Sequence, residues 1–481
     1  MAQSVGRLKQ VIQLGNSSQA RKIRWHGSVG SANCAKSQTI HVNNLLESNG
    51  FCAFETKCKL FLNIQKVCSI MLKIIDLEKC LQYNDPGGMM MIRREHYLAQ
   101  IRPFIEDDLI KVITGIRRCG KSTILQQLSD DISLKTDNVI FLEFENMRIR
   151  ALLPDADAVL RYVDSHRKEG KCYVFLDEIQ EVENWPDICQ TLRLENVSVF
   201  ITGSNSKLLS SEFTDALSGR YVSFRIHPFV WKELQEYAAE LGRNITVTDY
   251  LIWGGFPKRL EYDKEVMVRY LEDIDETIIY KDIVRRFKIR KESLFRAVAD
   301  FVLRSNGRII SYNSIYKAVS QKEKCSQHTI MKYVEYLEKS YAVELMKQYS
   351  TKTKHELSFY KKCYNGDVAL NSIRCPDNRF DIDHNLENVV YLELIYRGYN
   401  VMLYDNTGKE IDFIASKAGK EYLIQVAHSV VNDKAYQREF SAFSGLDNAR
   451  QKILITNDEI DYSTSTVRHI SLKEFLESET L

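Results

Sequence analysis

Several features that would assign this chain to a broad class at once are missing from its sequence. No apolar run approaches the roughly 20 residues that a helix needs to cross a bilayer, so the sequence predicts no membrane contact. The segment Met1–Arg7 has no apolar stretch behind its charges, so it predicts no secretory signal. The formal net charge is only +2, so the whole chain offers no argument for binding nucleic acid or a membrane surface.

Paired cysteines are also missing. The chain has 11 cysteines, but none follow a Cys-x-x-Cys spacing, and Cys52 and Cys58 are too isolated to argue for zinc. Reduced thiols and a cytoplasmic location are therefore expected. Cys119 lies inside the phosphate-binding motif described next, where oxidation would block a ligand, but a tolerated small loop residue is the simpler interpretation.

The sequence does contain a phosphate-binding pattern between a predicted strand and a predicted helix. Ile110–Thr114 is a short apolar strand, and Gly115–Ser122 follows it with two glycines five residues apart, then Lys and Ser. Backbone N–H groups of such a loop and the N-terminus of the next helix surround an anion. We expect Lys121 to reach the β- and γ-phosphates of ATP and the Ser122 hydroxyl to ligate Mg²⁺. The predicted nucleotide-binding residues are Gly115, Arg117, Cys119, Gly120, Lys121, Ser122 and Thr123.

Other apolar runs alternate with helical patterns from Ile92 onward, which is typical of a parallel sheet wound with helices. The further predicted strands are Asn138–Phe144, Cys172–Leu176 and Val197–Thr202. Their near-continuous hydrophobicity favours a sheet that is covered on both faces. The sequence therefore predicts an α/β fold with the parallel sheet of a P-loop NTPase.

Two acidic residues follow the strand Cys172–Leu176. Asp177 at the carboxyl end of a buried strand beside the phosphate loop is placed to hold Mg²⁺. Glu178 is then placed to polarise a water molecule for attack on the γ-phosphate, which predicts a hydrolase. Two acids in an ordinary strand-to-loop turn are the alternative.

Five segments together resemble a prokaryotic group of AAA-type ATPases whose members carry a C-terminal domain of unknown function. They are the phosphate loop, Tyr173–Gln180, Ile201–Ser206, Leu217–Tyr221 and Trp253–Pro257. The resemblance covers roughly residues 91 to 481. It implies that Asn205 or Ser204 senses the γ-phosphate, although either residue could instead cap the helix that begins near Lys207. It also implies that Arg220 stabilises phosphoryl transfer, in cis or from a neighbouring subunit of a homo-oligomer, with a surface arginine as the alternative.

The pattern divides the chain into five parts. Residues 1–90 form a poorly patterned extension, and we hypothesise that translation naturally starts at Met89, Met90 or Met91. An AAA-type ATPase domain is predicted over 91–235 and a helical lid over 236–290, which includes one long helix from about Tyr262 to Arg286. A winged-helix unit is predicted over 291–378, and a restriction-endonuclease-like α/β domain over 379–481.

The predicted winged-helix unit has a third helix that opens near Ser326. Its exposed face carries Gln327, His328, Lys332 and Lys339, which can contact phosphates but do not form a dense basic stripe. Double-stranded DNA is therefore a candidate partner. A domain that only packs on the ATPase is the alternative.

The C-terminal segment resembles a nuclease core in which a helical Glu, a strand Asp and a Glu-x-Lys pair assemble a Mg²⁺ site. Glu387 and Asp412 match that arrangement, but Gln425 replaces the second acid and Ala427 replaces the lysine. We therefore expect a nuclease-like fold without DNA cleavage as its main output.

The leading hypothesis is a Mg²⁺-dependent ATPase whose nucleotide state moves the winged-helix and nuclease-like modules, with DNA and a further protein as candidate partners. The alternative from another functional class is a binding or scaffold protein that is gated by nucleotide and hydrolyses little or no ATP. An ATP-regulated nuclease is the third.

Overall fold

The structure, a computed structural model, describes residues 92–203, 217, 219–321, 323–349, 361–375, 379–406, 409–446 and 449–481. The predicted extension 1–90 and its methionines therefore lie outside the described residues. Those described all belong to one contact-defined unit, Asn84–Leu481. In this part of the chain, none of the helices combines the length and the apolar character that crossing a membrane requires.

A five-stranded parallel sheet carries the phosphate-binding pattern. Its strands are β1 (Ile110–Thr114), β2 (Val139–Glu143), β3 (Tyr173–Asp177), β4 (Ser198–Gly203) and β5 (Tyr221–Arg225). They lie in the order β2-β3-β4-β1-β5, and every neighbouring pair is parallel. Every residue of β1, β3 and β4 is buried, as expected for apolar strands covered on both faces. The predicted P-loop NTPase sheet is confirmed.

One helix precedes β1, and further helices connect the strands because parallel strands need a crossover connection. They are α1 (Glu95–Ile101), α2 (Lys121–Ser133), α3 (Met147–Leu152), α4 (Ala156–His166) and α5 (Trp185–Leu194). The first turn of α2 directly follows the phosphate loop. Its buried side chains include Ile124, Leu125 and Leu128, which lie on one face of the helix and join the core beneath the loop.

A helical region follows the sheet. It contains α6 (Trp231–Glu240), α7 (Val247–Trp253) and α8 (Lys264–Thr277). The long helical stretch predicted from about Tyr262 to Arg286 is present, and its second part is a π-helix over Ile278–Val284 that directly follows α8. Seven residues of π-helix are unusual, and such wider turns are frequent at functional sites. This one accompanies the burial of Asp282, which pairs with an arginine of the phosphate loop.

The next unit alternates helices and short strands. Its elements are α9 (Glu292–Arg304), β6 (Arg308–Ile310), α10 (Tyr312–Val319), α11 (Gln327–Lys339), β7 (Val343–Met346), β8 (Gln348–Tyr349) and β9 (Lys361–Asn365). Strands β6, β9 and β7 form an antiparallel sheet in that order. Ser326 caps α11 by accepting a hydrogen bond from the Thr329 N–H, so this helix begins where the sequence predicted.

The C-terminal region is a second α/β layer. It comprises α12 (Ala369–Ser372), α13 (Ile382–Tyr396), β10 (Asn400–Asn406), β11 (Lys409–Lys417), β12 (Lys420–Ala427), α14 (Asp433–Ala442), β13 (Gln451–Thr456), β14 (Val467–Ser471) and α15 (Leu472–Glu477). The sheet runs β14-β13-β12-β11-β10-β8. Its β10-β11-β12 part is antiparallel and its β12-β13-β14 part is parallel.

One hydrophobic core extends from the phosphate loop into the unit of α9 to β9. Ile116 and Cys119 of the loop belong to the same buried cluster as Tyr341, Val343 and Cys363. The nucleotide-site residues are thus packed against a neighbouring unit as well as against their own sheet. A second cluster joins α6 and α7 to the C-terminal sheet and α13.

Candidate active site

The phosphate loop needs glycine at both ends. Gly115 has a φ of 148°, and a Cβ atom built there would lie 2.1 Å from the Ile226 carbonyl oxygen. Gly120 precedes α2 with a φ of 97°, a conformation that side chains disfavour. Between these positions the chain turns from the end of β1 to the N-terminus of α2. The backbone geometry therefore accounts for both glycines of the predicted motif.

Lys121 is buried in the first turn of α2, and its charge is not neutralised. The ammonium donates hydrogen bonds to the carbonyl oxygens of Gly115 and Ile116, both at 3.2 Å. It forms no ion pair with any residue that the structure describes. The helix N-terminus adds positive potential at the same place. A lysine held by neutral carbonyls at a helix start is suited to bind a polyphosphate.

Asp177 is the buried acid of the site, and hydroxyl groups surround it. Ser122 donates to its Oδ1 at 3.2 Å, and the Thr202 hydroxyl also donates to that oxygen. Burial raises the pKa of Asp177 to about 6, against the effect of the two hydroxyls. Carboxylate and hydroxyl oxygens are ligands that Mg²⁺ prefers. The donor set therefore fits this ion, and Ser122 and Asp177 are the residues that would hold it.

Glu178 follows Asp177, the last residue of β3, and its backbone leaves the extended conformation of the strand. It has a φ of 51°, in the left-handed region, and its N–H donates to the Thr202 hydroxyl at 3.0 Å. The Gln180 side-chain amide donates to the Glu178 carboxylate. A non-glycine residue in this backbone region is held there by its surroundings, which is common at active sites.

Thr202 was missed by sequence reasoning. Its hydroxyl bridges the Asp177 carboxylate and the Glu178 N–H, so it fixes both acids relative to each other. The only available signal was its place near the end of the apolar run that forms β4. In the sheet, β3 and β4 are neighbours, and Leu176 pairs with Ile201. The carboxyl ends of parallel strands therefore bring Thr202 beside the two acids.

Arg94 was also missed by sequence reasoning, and its side chain holds the backbone of the phosphate loop. Its fully buried guanidinium donates to the Cys119 carbonyl at 2.8 Å and to the His227 carbonyl at 3.0 Å. It also makes two hydrogen bonds to Glu233, at 2.9 and 2.7 Å. The adjacent Arg93 is exposed instead. Nothing in the local sequence distinguishes the two arginines.

The remaining predicted residues of the loop are engaged in different ways. Arg117 makes a bidentate ion pair with Asp282, with contacts of 2.9 and 3.1 Å. The loop is thereby tied to the π-helix. Cys119 is buried, and burial raises the pKa of its thiol, so the site favours the less reactive protonated form. Thr123 is half-buried on the first turn of α2.

Arg220 does not reach the phosphate loop of its own chain. Its carbonyl accepts from the Ile110 N–H, and β5 runs parallel to β1 from that point. Arg220 therefore lies at the amino edge of the sheet, whereas the loop leaves the carboxyl edge. Of the two predicted alternatives, this position does not fit action in cis, and action from a neighbouring subunit stays a prediction. Asn205 and Ser204 lie outside the described residues.

The predicted nuclease-like residues meet in the C-terminal region. Glu387 on α13 and Asp412 on β11 both contact the ammonium of Lys362, at 2.6 and 2.9 Å. Gln425 on β12 accepts from the Asp412 N–H at 3.3 Å and donates to Glu439 at 2.9 Å. The sequence placed these elements together correctly, but it did not identify Lys362.

The fold and the site define an AAA-type P-loop ATPase. A family profile described as AAA domain matches residues 107–235, and a domain of unknown function (DUF8612) matches residues 245–374. An uncharacterised Haemophilus influenzae protein is 32% identical over 378 residues, covering 76% of this chain and 93% of that protein. An uncharacterised Methanocaldococcus jannaschii protein is 31% identical over 377 residues, covering 73% and 82%. The chain therefore belongs to this prokaryotic family, in which an AAA domain precedes a domain of unknown function.

Solved structures show weaker similarity. The Walker-type ATPase PABY2304 of Pyrococcus abyssi has a TM-score of 0.41 and 14% identity, covering 59% of this chain and 96% of that chain. AMPPCP-bound DnaA from Aquifex aeolicus has a TM-score of 0.27 and 16% identity, covering 53% and 92%. Both scores are below 0.5, so no functional argument follows from them.

Proposed function

We propose that the protein is a Mg²⁺-dependent ATPase whose nucleotide state is passed to the C-terminal half of the chain. The observation that carries this proposal is the network of Ser122, Asp177, Thr202 and Glu178 at the carboxyl edge of the sheet. A loop that only binds nucleotide has no need of a second acid held in a left-handed conformation beside the first.

We assign a role to each residue of the proposed site, and Thr202 positions the two acids. Lys121 binds the terminal phosphates, and Ser122 and Asp177 hold Mg²⁺, which neutralises charge that develops on the phosphates. Glu178 accepts a proton from, or orients, the attacking water. Arg220 of a neighbouring copy in a homo-oligomer and Asn205 complete the proposed site.

The unit of α9 to β9 supports the winged-helix proposal. Its order is helix, strand, two helices and three strands, and its own sheet has the order β6-β9-β7. The exposed face of α11 presents His328 and Lys332, whereas Lys339 pairs with Glu335 at 2.5 Å. Contact with the phosphates of double-stranded DNA is the use that we propose for this face. Its moderate charge predicts weak, salt-sensitive binding.

A chain of polar contacts supports the proposed coupling. Arg225 at the end of β5 is paired in register with Thr114, the last residue before the phosphate loop. Its guanidinium makes an ion pair of 2.6 Å with Glu344 on β7. The Tyr391 hydroxyl of α13 then donates to Glu344 at 3.0 Å. A shift at the phosphate loop would therefore act on both C-terminal units.

A cytoplasmic location is part of the proposal. The six cysteines among the described residues are all free thiols, as expected where thiols stay reduced.

Phosphate release from ATP, measured with and without duplex DNA, tests the proposed function. We expect Mg²⁺-dependent turnover that DNA increases, and a loss of about 100-fold or more in Lys121→Ala because that variant lacks the phosphate-binding cation. Tight ATP retention without turnover would instead support a nucleotide-gated scaffold. Turnover that is equal in wild type and Lys121→Ala would contradict the assignment of the site.

A further inference from the structure

A buried lysine occupies the acidic site of the C-terminal region. The Lys362 ammonium lies 2.6 Å from Glu387 Oε1, 2.7 Å from Glu410 Oε1 and 2.9 Å from Asp412 Oδ1. Its side chain is only 4% exposed. The lysine comes from β9, whereas the carboxylates come from α13 and β11. Three acids on one helix and one strand therefore contact a single ammonium, which a different strand supplies.

Glu387 and Asp412, the two buried carboxylates of the three, also accept hydrogen bonds from other groups of the protein. Asp412 Oδ2 accepts from the Val426 N–H at 2.9 Å, and the Tyr364 hydroxyl donates to Glu387. Tyr364 follows Lys362 by two residues on β9, so both side chains emerge from the same face of the strand. One strand thus supplies a cation and a hydroxyl to the same acidic site.

The carboxylates keep Lys362 charged. Burial opposes the charge, but Asp412, Glu387 and Glu410 more than offset it and raise the pKa of Lys362. Lys111 on β1 shows the opposite case, because burial lowers its pKa to about 8. Its ammonium donates only to the Asp107 carbonyl, at 3.0 Å, and to the Ser198 hydroxyl, at 2.9 Å. Lys111 is thus a matched control, a buried lysine that forms no ion pair with the residues that the structure describes.

We propose that Lys362 is the resident cation of this site and takes the place that a divalent metal would hold. The helical Glu and the strand Asp are the two acids that the sequence suggested as Mg²⁺ ligands, and both bond to the ammonium. Within the described ranges, no group of three or more His, Cys, Asp or Glu side chains is arranged to hold a metal ion. All three acids contact the ammonium directly, so Lys362 links β9 to α13 and β11. We call this cluster of Lys362, Glu387, Glu410 and Asp412 the clasp.

The clasp connects that region with the phosphate loop. Gly366 directly follows β9, and a Cβ atom there would lie 2.2 Å from the Tyr341 carbonyl oxygen and 3.4 Å from Ile116 Cδ1. The next residue, Asp367, accepts from the Gly255 N–H at 2.7 Å. The strand that carries Lys362 is therefore packed at its other end against a residue of the phosphate loop. The clasp holds the C-terminal region in a fixed relation to the nucleotide site.

Replacement of Lys362 by methionine tests the structural part of the proposal. We expect Lys362→Met to lower the folding equilibrium constant by about 100-fold or more, because it leaves buried carboxylates without a counter-charge. Lys111→Met removes a buried lysine that has no ion-pair partner in the described part of the chain, so we expect a change of less than about tenfold. The triple variant Lys362→Met/Glu387→Gln/Asp412→Asn removes the unpaired charges and should recover most of the loss. Equal stability of Lys362→Met and wild type would overturn the proposal.

Titration with Mn²⁺ tests whether Lys362 occupies the position of a metal ion in the clasp. It is done without nucleotide in an Asp177→Asn background, which removes the acid of the phosphate-loop site. We expect no saturable Mn²⁺-dependent rise in Tm when Lys362 is present, and such a rise when Lys362→Met is added. Saturable binding with Lys362 present that Asp412→Asn abolishes would overturn the proposal. This result decides the question even if the methionine variants do not fold.

Discussion

The phosphate loop and the C-terminal acidic site each contain a buried lysine, but the two lysines have different partners. Lys121 donates only to two neutral carbonyl oxygens, so its charge is available to a ligand. Lys362 contacts three carboxylates within 2.9 Å, so its charge is already satisfied. Both lysines are buried, and each belongs to a site that also contains a buried Asp, Asp177 in one and Asp412 in the other. The comparison teaches that the partners of a buried charge, more than its presence, separate a ligand site from a structural contact.

The largest expected effect concerns Arg94, which contacts both a buried carboxylate and the backbone of the phosphate loop. Its ion pair with Glu233 is buried, and it also binds the Cys119 carbonyl. We expect Arg94→Met to lower the free energy of unfolding by about 3–5 kcal/mol, because Glu233 is left buried without a counter-charge. Chemical denaturation measures the change. ATP affinity should fall as well, because the loop loses the donor that holds its backbone.

Lys121→Met is the matched control for Arg94→Met. It removes a buried cation from the same loop, but this cation has no acid partner among the described residues. We expect the free energy of unfolding to change by about 1 kcal/mol or less, while ATP binding is lost. If the two variants lost the same stability, the distinction between structural and ligand-directed charges would fail.

A smaller effect is expected from pH. Burial raises the pKa of Asp177 to about 6, and only the ionised carboxylate can hold Mg²⁺. We therefore expect the affinity for Mg²⁺-ATP to fall by about tenfold per pH unit below pH 6. The effect on folding has the opposite sign, because a raised carboxyl pKa means that the folded state binds the proton more tightly than the unfolded chain. The contribution of this group to stability is therefore fully present below pH 3.8 and is lost as pH rises towards 6.

The Mg²⁺-ATP-dependent rise in Tm, measured between pH 7.5 and 5, checks this prediction. Asp177→Asn is the control, because titration of the nucleotide's own phosphates is common to both proteins. Wild type should lose the rise more steeply than Asp177→Asn. Parallel curves would show that Asp177 does not take part in metal binding.

The parts of the fold that sequence reasoning predicted are those encoded locally. Apolar runs predicted β1 to β4, and the two glycines with Lys121 and Ser122 predicted the loop and the start of α2. The acids Asp177 and Glu178 were identified for the same reason, since they directly follow a buried strand. In each case neighbouring residues carry the whole signal.

The parts that were missed depend on distant partners. Arg94 meets Glu233 across 139 residues, and Lys362 meets Asp412 across 50. The π-helix also escaped prediction, and so did the contact of its buried acid with Arg117 across 165 residues. The choice between cis and trans action of Arg220 stayed open because the motif does not reveal which edge of the sheet this residue occupies. Such contacts follow from tertiary packing, which local periodicity does not encode.

Glu178→Gln tests the central claim, ATP hydrolysis at the phosphate loop, most directly. The amide keeps the shape of the side chain but cannot accept a proton from water, so we expect turnover to fall by about 10²–10⁴-fold. Labelled ATP and Mg²⁺ should remain bound to this variant through gel filtration, whereas Lys121→Ala should retain none. Undiminished phosphate release by Glu178→Gln would contradict the account.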